Sequence, residues 1–420
     1  MSERRLARFK HRVISWNPLK KSLFIIVIGI LAFGTVIMLD GTIGEIFGQE
    51  NMHPDIQAYR NRTSTILDGG LLYTDVHTET PPLINYLMIP AQLLGGDENV
   101  LVYSAYFSFF SILGGLLMYL ALRRYDDTSA FIMSLLYMLS PFSLLEGGLA
   151  NDETIVAFTV VLPAILIVIN RSKIASLIIG LGIWTKMWAI LLAPVHFLHS
   201  KTWKERLTII AIIGGVSIAV AAPFLALCGD EFTWFLKYYF MGDPERTNEG
   251  FSAHMFLELG GISIPNVVSI ALVLAGLLIA YFYAYWKGLG KWESMTLAIV
   301  VFFCLYHKMH GGYYLIPIAF LVAWGSTNWK IAARCFLLYV PVMLAVAFAP
   351  PMVEGDAFIH FEGSWIVGLI FAISANILLL ETTYVAMKEK SFITRGIERL
   401  EESDSIDEVE KTSTPGMPEV

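Results

Sequence analysis

Residues 174–198 read IASLIIGLGIWTKMWAILLAPVHFL, and the placement of this stretch decides the fold. Its length suits one helix crossing a bilayer, which needs about 20 apolar residues. Yet Arg171 and Lys173 precede it, while Lys201, Lys204 and Arg206 follow it. Basic residues mark the cytoplasmic flank of a membrane segment, and one crossing cannot begin and end on the same side. A hairpin of two short helices satisfies both flanks. Its tip then falls at Thr185, Lys186 and Met187, short of the far surface, with a lysine at depth.

The composition agrees with a membrane setting. The chain is 56% hydrophobic and 15% charged, with a mean hydropathy of +0.62, too apolar for a soluble globule of 420 residues. An all-α polytopic membrane protein is expected. The net charge of -7 matters less than how its signs are sorted. Cys228, Cys304 and Cys335 lie in or beside apolar runs without metal-ligand spacing, so three unpaired thiols are expected. No nucleic-acid partner is expected.

Working outward, residues 1–21 are basic and precede an uncleaved first span, Ser22 to Leu39, with no small-x-small cleavage site after Met38. The loop 40–99 is then outside. Val100 to Leu122 returns to Arg123 and Arg124, and Thr128 to Leu145 emerges at EGGLANDE, residues 146–153. Thr154 to Asn170 leads back to the hairpin. Leu207 to Leu227, the outer loop Cys228 to Ser263 and Ile264 to Trp286 follow.

Ser294 to Tyr306 and Tyr313 to Gly325 are again short, and they flank HKMHGG, residues 307–312, as a second hairpin. Ile331 to Ala349 and Ser364 to Met387 complete about twelve transmembrane helices, within one membrane domain spanning 22–387. The acidic segment 388–420 reads as a short surface helix followed by disorder. Both termini are cytoplasmic in this arrangement, in a multi-pass protein of the cell membrane. Of the 29 Lys and Arg, 23 fall inside and 6 outside.

That parity brings Asp55, Asp75, Glu79, Asp152, Glu153, Lys186, Arg246, His307, Lys308 and His310 to the outer side. Each has a plainer reading. Asp68 and Asp97 belong to solvated loop, and Asp55 stands where a carboxylate would cap the helix that follows. Pro81-Pro82 stops one helix and starts another. Lys186 is harder to place, because a lysine among apolar helices costs about 2.5 to 3.5 kcal/mol on insertion scales unless it snorkels to headgroups. HKMH could meet outer-leaflet phosphates, or build a phosphate site.

Carboxylates beside cationic phosphate binders at an outer membrane face suit one reaction well. An acceptor hydroxyl attacks the anomeric carbon of a sugar carried on a lipid phosphate; the carboxylate takes the proton and the cations hold the departing phosphate. A transporter or flippase also needs buried charge, but it would place that charge at the midplane and show internal repeats. A non-catalytic scaffold would leave Lys186 and HKMH without a role.

The pattern resembles the GT-C superfamily of polyprenyl-phosphate-sugar-dependent glycosyltransferases, mannosyltransferase-like members especially. The resemblance rests on Asp55-Ile-Gln-Ala-Tyr59, on Gly69 to Leu83 with Tyr73, Asp75, Glu79 and Pro81-Pro82 in place, on Asn151-Asp152-Glu153, and on Thr185-Lys186. His307 to Tyr314 before Pro317 is similar to the family's late loop facing the carrier phosphate. It implies an inverting transfer with Asp55 as base. Glu79, Asp152 and Glu153 become auxiliary acids that orient substrate or hold a divalent cation, if one is used.

The resemblance further implies that Tyr59, Tyr73, Asp75, Lys186, Arg246, His307, Lys308 and His310 bind the substrates. A polyprenyl-phosphate-linked sugar is the implied donor, and a lipid, glycan or protein hydroxyl the acceptor. The large soluble domain of some relatives and the WWDYG motif do not appear, so transfer to asparagine is not expected.

Overall fold

A computed structural model describes residues 15–42, 53, 55–241, 250–349 and 359–413. Its elements are helices; among the described residues the only strand-like feature is an isolated bridge between Leu72 and Val76. In chain order they are α1 Pro18–Met38, α2 Ile56–Leu67, α3 Pro82–Ala91, α4 Val100–Leu122, α5 Asp127–Met138, α6 Pro141–Gly148, α7 Glu153–Val168 and α8 Ser172–Lys186. Next come α9 Ala193–Leu198, α10 Trp203–Cys228, α11 Asp230–Met241, α12 Ala253–Leu259, α13 Asn266–Trp286 and α14 Lys291–Leu305. The last are α15 Leu315–Gly325, α16 Trp329–Leu337, α17 Tyr339–Phe348, α18 Ser364–Ala386 and α19 Phe392–Ser413.

Six stretches are long and apolar enough to cross a membrane: α1, α4, α10, α13, the pair α16 and α17 taken as Trp329–Phe348, and α18. The bent pair α5 and α6 makes a seventh. That is fewer than the expected twelve, and the difference lies in the short helices. At about 1.5 Å per residue, α7, α8, α14 and α15, of 16, 15, 15 and 11 residues, are each shorter than a bilayer core of about 30 Å. The chain is a multi-pass membrane protein, with six or seven candidate spans and several shorter apolar helices packed among them.

Local chemistry sets the breaks. The expected third span is two helices bent by 50°. Pro141 lacks an N–H and disfavours helical backbone in the residue before it, while Ser140 caps the new helix by accepting from the Ser143 N–H at 3.1 Å. The first hairpin breaks at Met187, whose φ of 48° lies in the left-handed region. A short 3-10 turn, Trp188–Leu192, and α9 then carry the chain back.

Burial separates lipid-facing helices from the core. The most apolar windows of α10 and α13 are only 11% and 22% buried, as expected of helices whose apolar faces meet lipid tails. By contrast α15 is buried along its whole length, as expected of an all-round apolar helix at the centre of a bundle.

Polar contacts divide the molecule into two ends that agree with the sorting of charges. At one end Lys21 pairs with Asp127, Lys291 donates to the Asn170 side chain at 2.6 Å, and Arg399 donates to the Tyr125 carbonyl at 2.9 Å. The acidic segment is anchored there: Glu293 accepts from the Ser391 N–H at 2.9 Å, and Phe392 and Ile393 are buried. Residues 414–420 lie outside the described residues, and with them part of the expected disorder. At the other end stand α2, the turn 149–153, the α8 tip and residues 306–314.

Candidate active site

Helix α2 supplies the first face of the site. Asp55, Tyr59 and Arg62 recur at i, i+4 and i+7, so they line one side of it. Asp55 immediately precedes the helix but makes no side-chain capping bond, so the capping reading of this residue fails. Its carboxyl is instead pushed above the usual carboxylate range, first by burial and then by the negative charge of Asp152, with Lys186 and Arg62 pulling the other way. The Tyr59 hydroxyl accepts a 3.4 Å bond from the Asp152 N–H and so ties α2 to the start of α7.

Arg62, buried, donates to both carboxylate oxygens of Glu79 at 3.1 Å. Glu79 thus lies beside the Asp55 face, held by an arginine that the sequence reading did not select. Tyr73 and Asp75 have local partners. The Tyr73 hydroxyl donates to the Thr80 carbonyl at 2.8 Å and its ring packs against Phe224, Phe232 and Phe235, while Asp75 accepts from the Leu71 N–H at 2.7 Å. Both shape the turn that presents Glu79.

Helix α7 begins with Asp152 and Glu153, both buried. Glu153 pairs with Lys186 at the C-terminal end of α8. The lysine ammonium also lies 4.5 Å from the Tyr313 ring centroid and 5.1 Å from that of Trp188, a cation–π arrangement. Lys186 is 11% exposed, so it is held inside the protein and does not snorkel to headgroups.

The late loop completes the enclosure. His307 and Lys308 are buried, His307 has no hydrogen-bond partner on either ring nitrogen among the described residues, and the His310 ring packs 4.8 Å from Tyr313. His307 and Lys308 are thus enclosed by protein. Arg246 lies outside the described residues. Gly250, at φ +90°, fits the loop only because it has no Cβ: an added one would fall on the Met309 carbonyl, whose oxygen accepts from the Phe251 N–H at 2.9 Å. Gly250→Ala should lower stability by about 1 to 3 kcal/mol, read as a fall in the thermal unfolding midpoint.

One further acid joins the group. Glu146, near the end of α6, lies with its carboxylate against Gly312 and interacts electrostatically with Glu153, Lys186, Asp152 and Asp55. The sequence signal for it was a lone acid in an apolar run just after a proline break. Among the described residues no three His, Cys, Asp or Glu side chains form a ligand set for a metal ion. Glu79 is engaged by Arg62 and Glu153 by Lys186.

Four carboxylates therefore gather around one lysine, next to a cationic and imidazole-bearing loop. Such a site can accept protons and hydroxyl hydrogen bonds on one side and hold an anion on the other.

Comparison with known proteins places this sequence in a family. Two solved structures from Archaeoglobus fulgidus are similar in fold: an oligosaccharyltransferase in the apo form, at 15% identity and a TM-score of 0.46, and the oligosaccharyltransferase AglB in complex with an inhibitory peptide and a dolichol-phosphate, at 14% and 0.46. The matches cover 89% and 90% of this chain but 56% and 57% of those chains, so it spans little more than half their length. A search of curated proteins finds no significant match. The family model for glycosyltransferase family 87 matches residues 80–307, more than half of the 420 residues. The chain belongs to glycosyltransferase family 87.

Proposed function

We propose that this protein transfers a hexose, mannose first among the candidates, from a polyprenyl-phosphate carrier to a hydroxyl acceptor on a lipid, glycan or protein, with inversion at the anomeric carbon. The observation that carries the reading is Asp55. It sits at a helix start without capping it, is partly withdrawn from water, and lies within electrostatic reach of Asp152, Lys186, Arg62 and Glu79. A carboxylate whose pKa is raised towards the working pH is a better general base than an ordinary one.

In this reading the acceptor oxygen forms its bond to the anomeric carbon as the carbon–oxygen bond to the carrier phosphate breaks. The bonding pair leaves on the phosphate, and Asp55 takes the hydroxyl proton, later released to water. Lys186, His307, Lys308, His310 and Arg246 hold the phosphate as its charge grows. Asp152 and Glu153 orient substrate and ammonium, Tyr59 keeps Asp55 and Asp152 together, and Glu79 with Arg62 borders the acceptor side. Tyr73 and Asp75 act through the turn they shape. A site set among the short helices α7, α8, α14 and α15 suits a donor whose polyprenyl tail stays in the bilayer.

The stereochemistry tests this directly. Proton NMR of product made from a carrier of known anomeric configuration should show the opposite configuration; retention would remove the single-displacement mechanism and Asp55 as its base.

The site lies at the outer face in an arrangement of about twelve transmembrane helices, including the two short hairpins, with cytoplasmic termini. Cysteines introduced at Asp68 and Lys204 are then expected to react with impermeant maleimide from opposite sides. Labelling of both from one side would sink this topology.

A further inference from the structure

The sequence-derived set leaves Glu146 without a role, yet its surroundings are specific. An added Cβ at Gly312 would fall on the Glu146 carboxylate, so the acid lies flat against a loop residue only two positions beyond His310. Its backbone carbonyl accepts from the Asn151 N–H at 2.8 Å, closing the turn that delivers Asp152 and Glu153. The Glu146 side chain is half-buried. Lys186, the cation it interacts with, is paired with Glu153.

A polar atom next to Glu146 is unsatisfied: Glu153, with which it interacts, has its Oε2 buried and without a partner among the described residues. A buried acceptor left without a donor costs roughly the desolvation of that group, and a substrate rich in hydroxyls would supply donors. The hexose is joined directly to the carrier phosphate, so a phosphate held by Lys186 and the His307–His310 loop puts the sugar ring within reach of whatever lines that loop. Glu146 lines it.

We infer that Glu146 is a sugar-recognition residue, its carboxylate accepting hydrogen bonds from ring hydroxyls of the donor hexose between Gly312 and Lys186. This assignment rests on the lipid-linked donor proposed above. It makes Glu146 a determinant of which hexose is taken, separate from the groups that bind the carrier. Gly312 is required because any side chain there would displace the carboxylate.

The test is equilibrium binding of two probes to the purified full chain in nanodiscs: bare polyprenyl phosphate and polyprenyl-phosphate-mannose. The wild type should bind the sugar-bearing carrier more tightly. Glu146→Gln and Gly312→Ala should each reduce affinity for the sugar-bearing carrier by roughly 3- to 10-fold, the range for an ordinary hydrogen bond, while affinity for the bare phosphate changes less than about twofold. The isosteric Glu146→Gln should keep the wild-type melting temperature, which separates loss of recognition from loss of fold. Parallel weakening of both probes would make Glu146 a prop for the late loop and overturn the assignment, as would unchanged binding of both. A wild type that binds neither probe would instead remove the lipid-linked donor reading, and Glu146's role with it.

Discussion

Asp55→Asn should reduce transfer by about 10²- to 10⁴-fold, the usual contribution of a general base, while the protein keeps its melting temperature. The amide has the same size as the carboxylate and no basic oxygen at neutral pH. Because the aspartate makes no capping bond, helix α2 loses nothing when it is replaced. The pH profile carries a second signature. Burial and the charge of Asp152 raise the Asp55 pKa, and Lys186 lowers it. The base works only when ionised, so activity should fall with acidification through that raised value, at a pH above the ordinary carboxylate value of about 3.9. Asp152→Asn removes a raising influence and should move this acidic limb to lower pH. Loss of the Lys186 charge should move the limb to higher pH. A limb that stays put in both variants would detach it from Asp55.

Lys186→Ala should have the other large effect, on both activity and folding. It removes the cation that pairs with Glu153, which is itself only 4% exposed as a side chain. Breaking a buried ion pair from one side typically costs about 3 to 5 kcal/mol, because the remaining charge stays desolvated. The melting temperature should therefore drop. If the lysine also holds the carrier phosphate, the apparent donor requirement should rise by about tenfold or more in whatever enzyme remains folded. The double variant Lys186→Met with Glu153→Leu separates the two roles. It should recover much of the stability, since it leaves no orphan charge, and recover none of the donor affinity. Restored donor affinity in the double variant would assign Lys186 to structure alone.

The two hairpins were legible in the sequence because charge parity is a geometric constraint: basic residues at both ends of 174–198 force the chain to turn back. Helix α4 was legible in full, since an uninterrupted apolar run between Asn99 and Arg123 leaves little choice. The bend between α5 and α6 was not anticipated, because hydropathy is continuous from Thr128 to Leu145 and carries no information about a missing N–H at Pro141. The expected twelve includes the short hairpin helices, whereas six helices, or seven with the bent pair, are long enough to cross.

The site was legible in part for a related reason. Topology collects Asp55, Asp152, Glu153, Lys186 and the HKMH loop at one end whatever their separation in sequence, and the structure brings them together. Arg62 was not selected, although its spacing from Asp55 and Tyr59 marks one helical face. Glu146 was hidden by the reverse problem: it lies among apolar residues and looks like the start of an outer loop, when its carboxylate packs against Gly312 of the late loop. Tyr73 has its hydroxyl bonded to Thr80, a partner that only the folded turn reveals.

The central claim, a lipid-linked sugar donor used by this site, is tested most directly by incubating purified wild-type protein and Asp55→Asn in proteoliposomes with a bacterial membrane lipid extract and radiolabelled polyprenyl-phosphate-mannose or radiolabelled nucleotide-mannose. The expected result is labelled product from the polyprenyl carrier with wild type alone, and none from the nucleotide sugar with either protein. Label transferred from the nucleotide sugar, or equal transfer by Asp55→Asn, would contradict it.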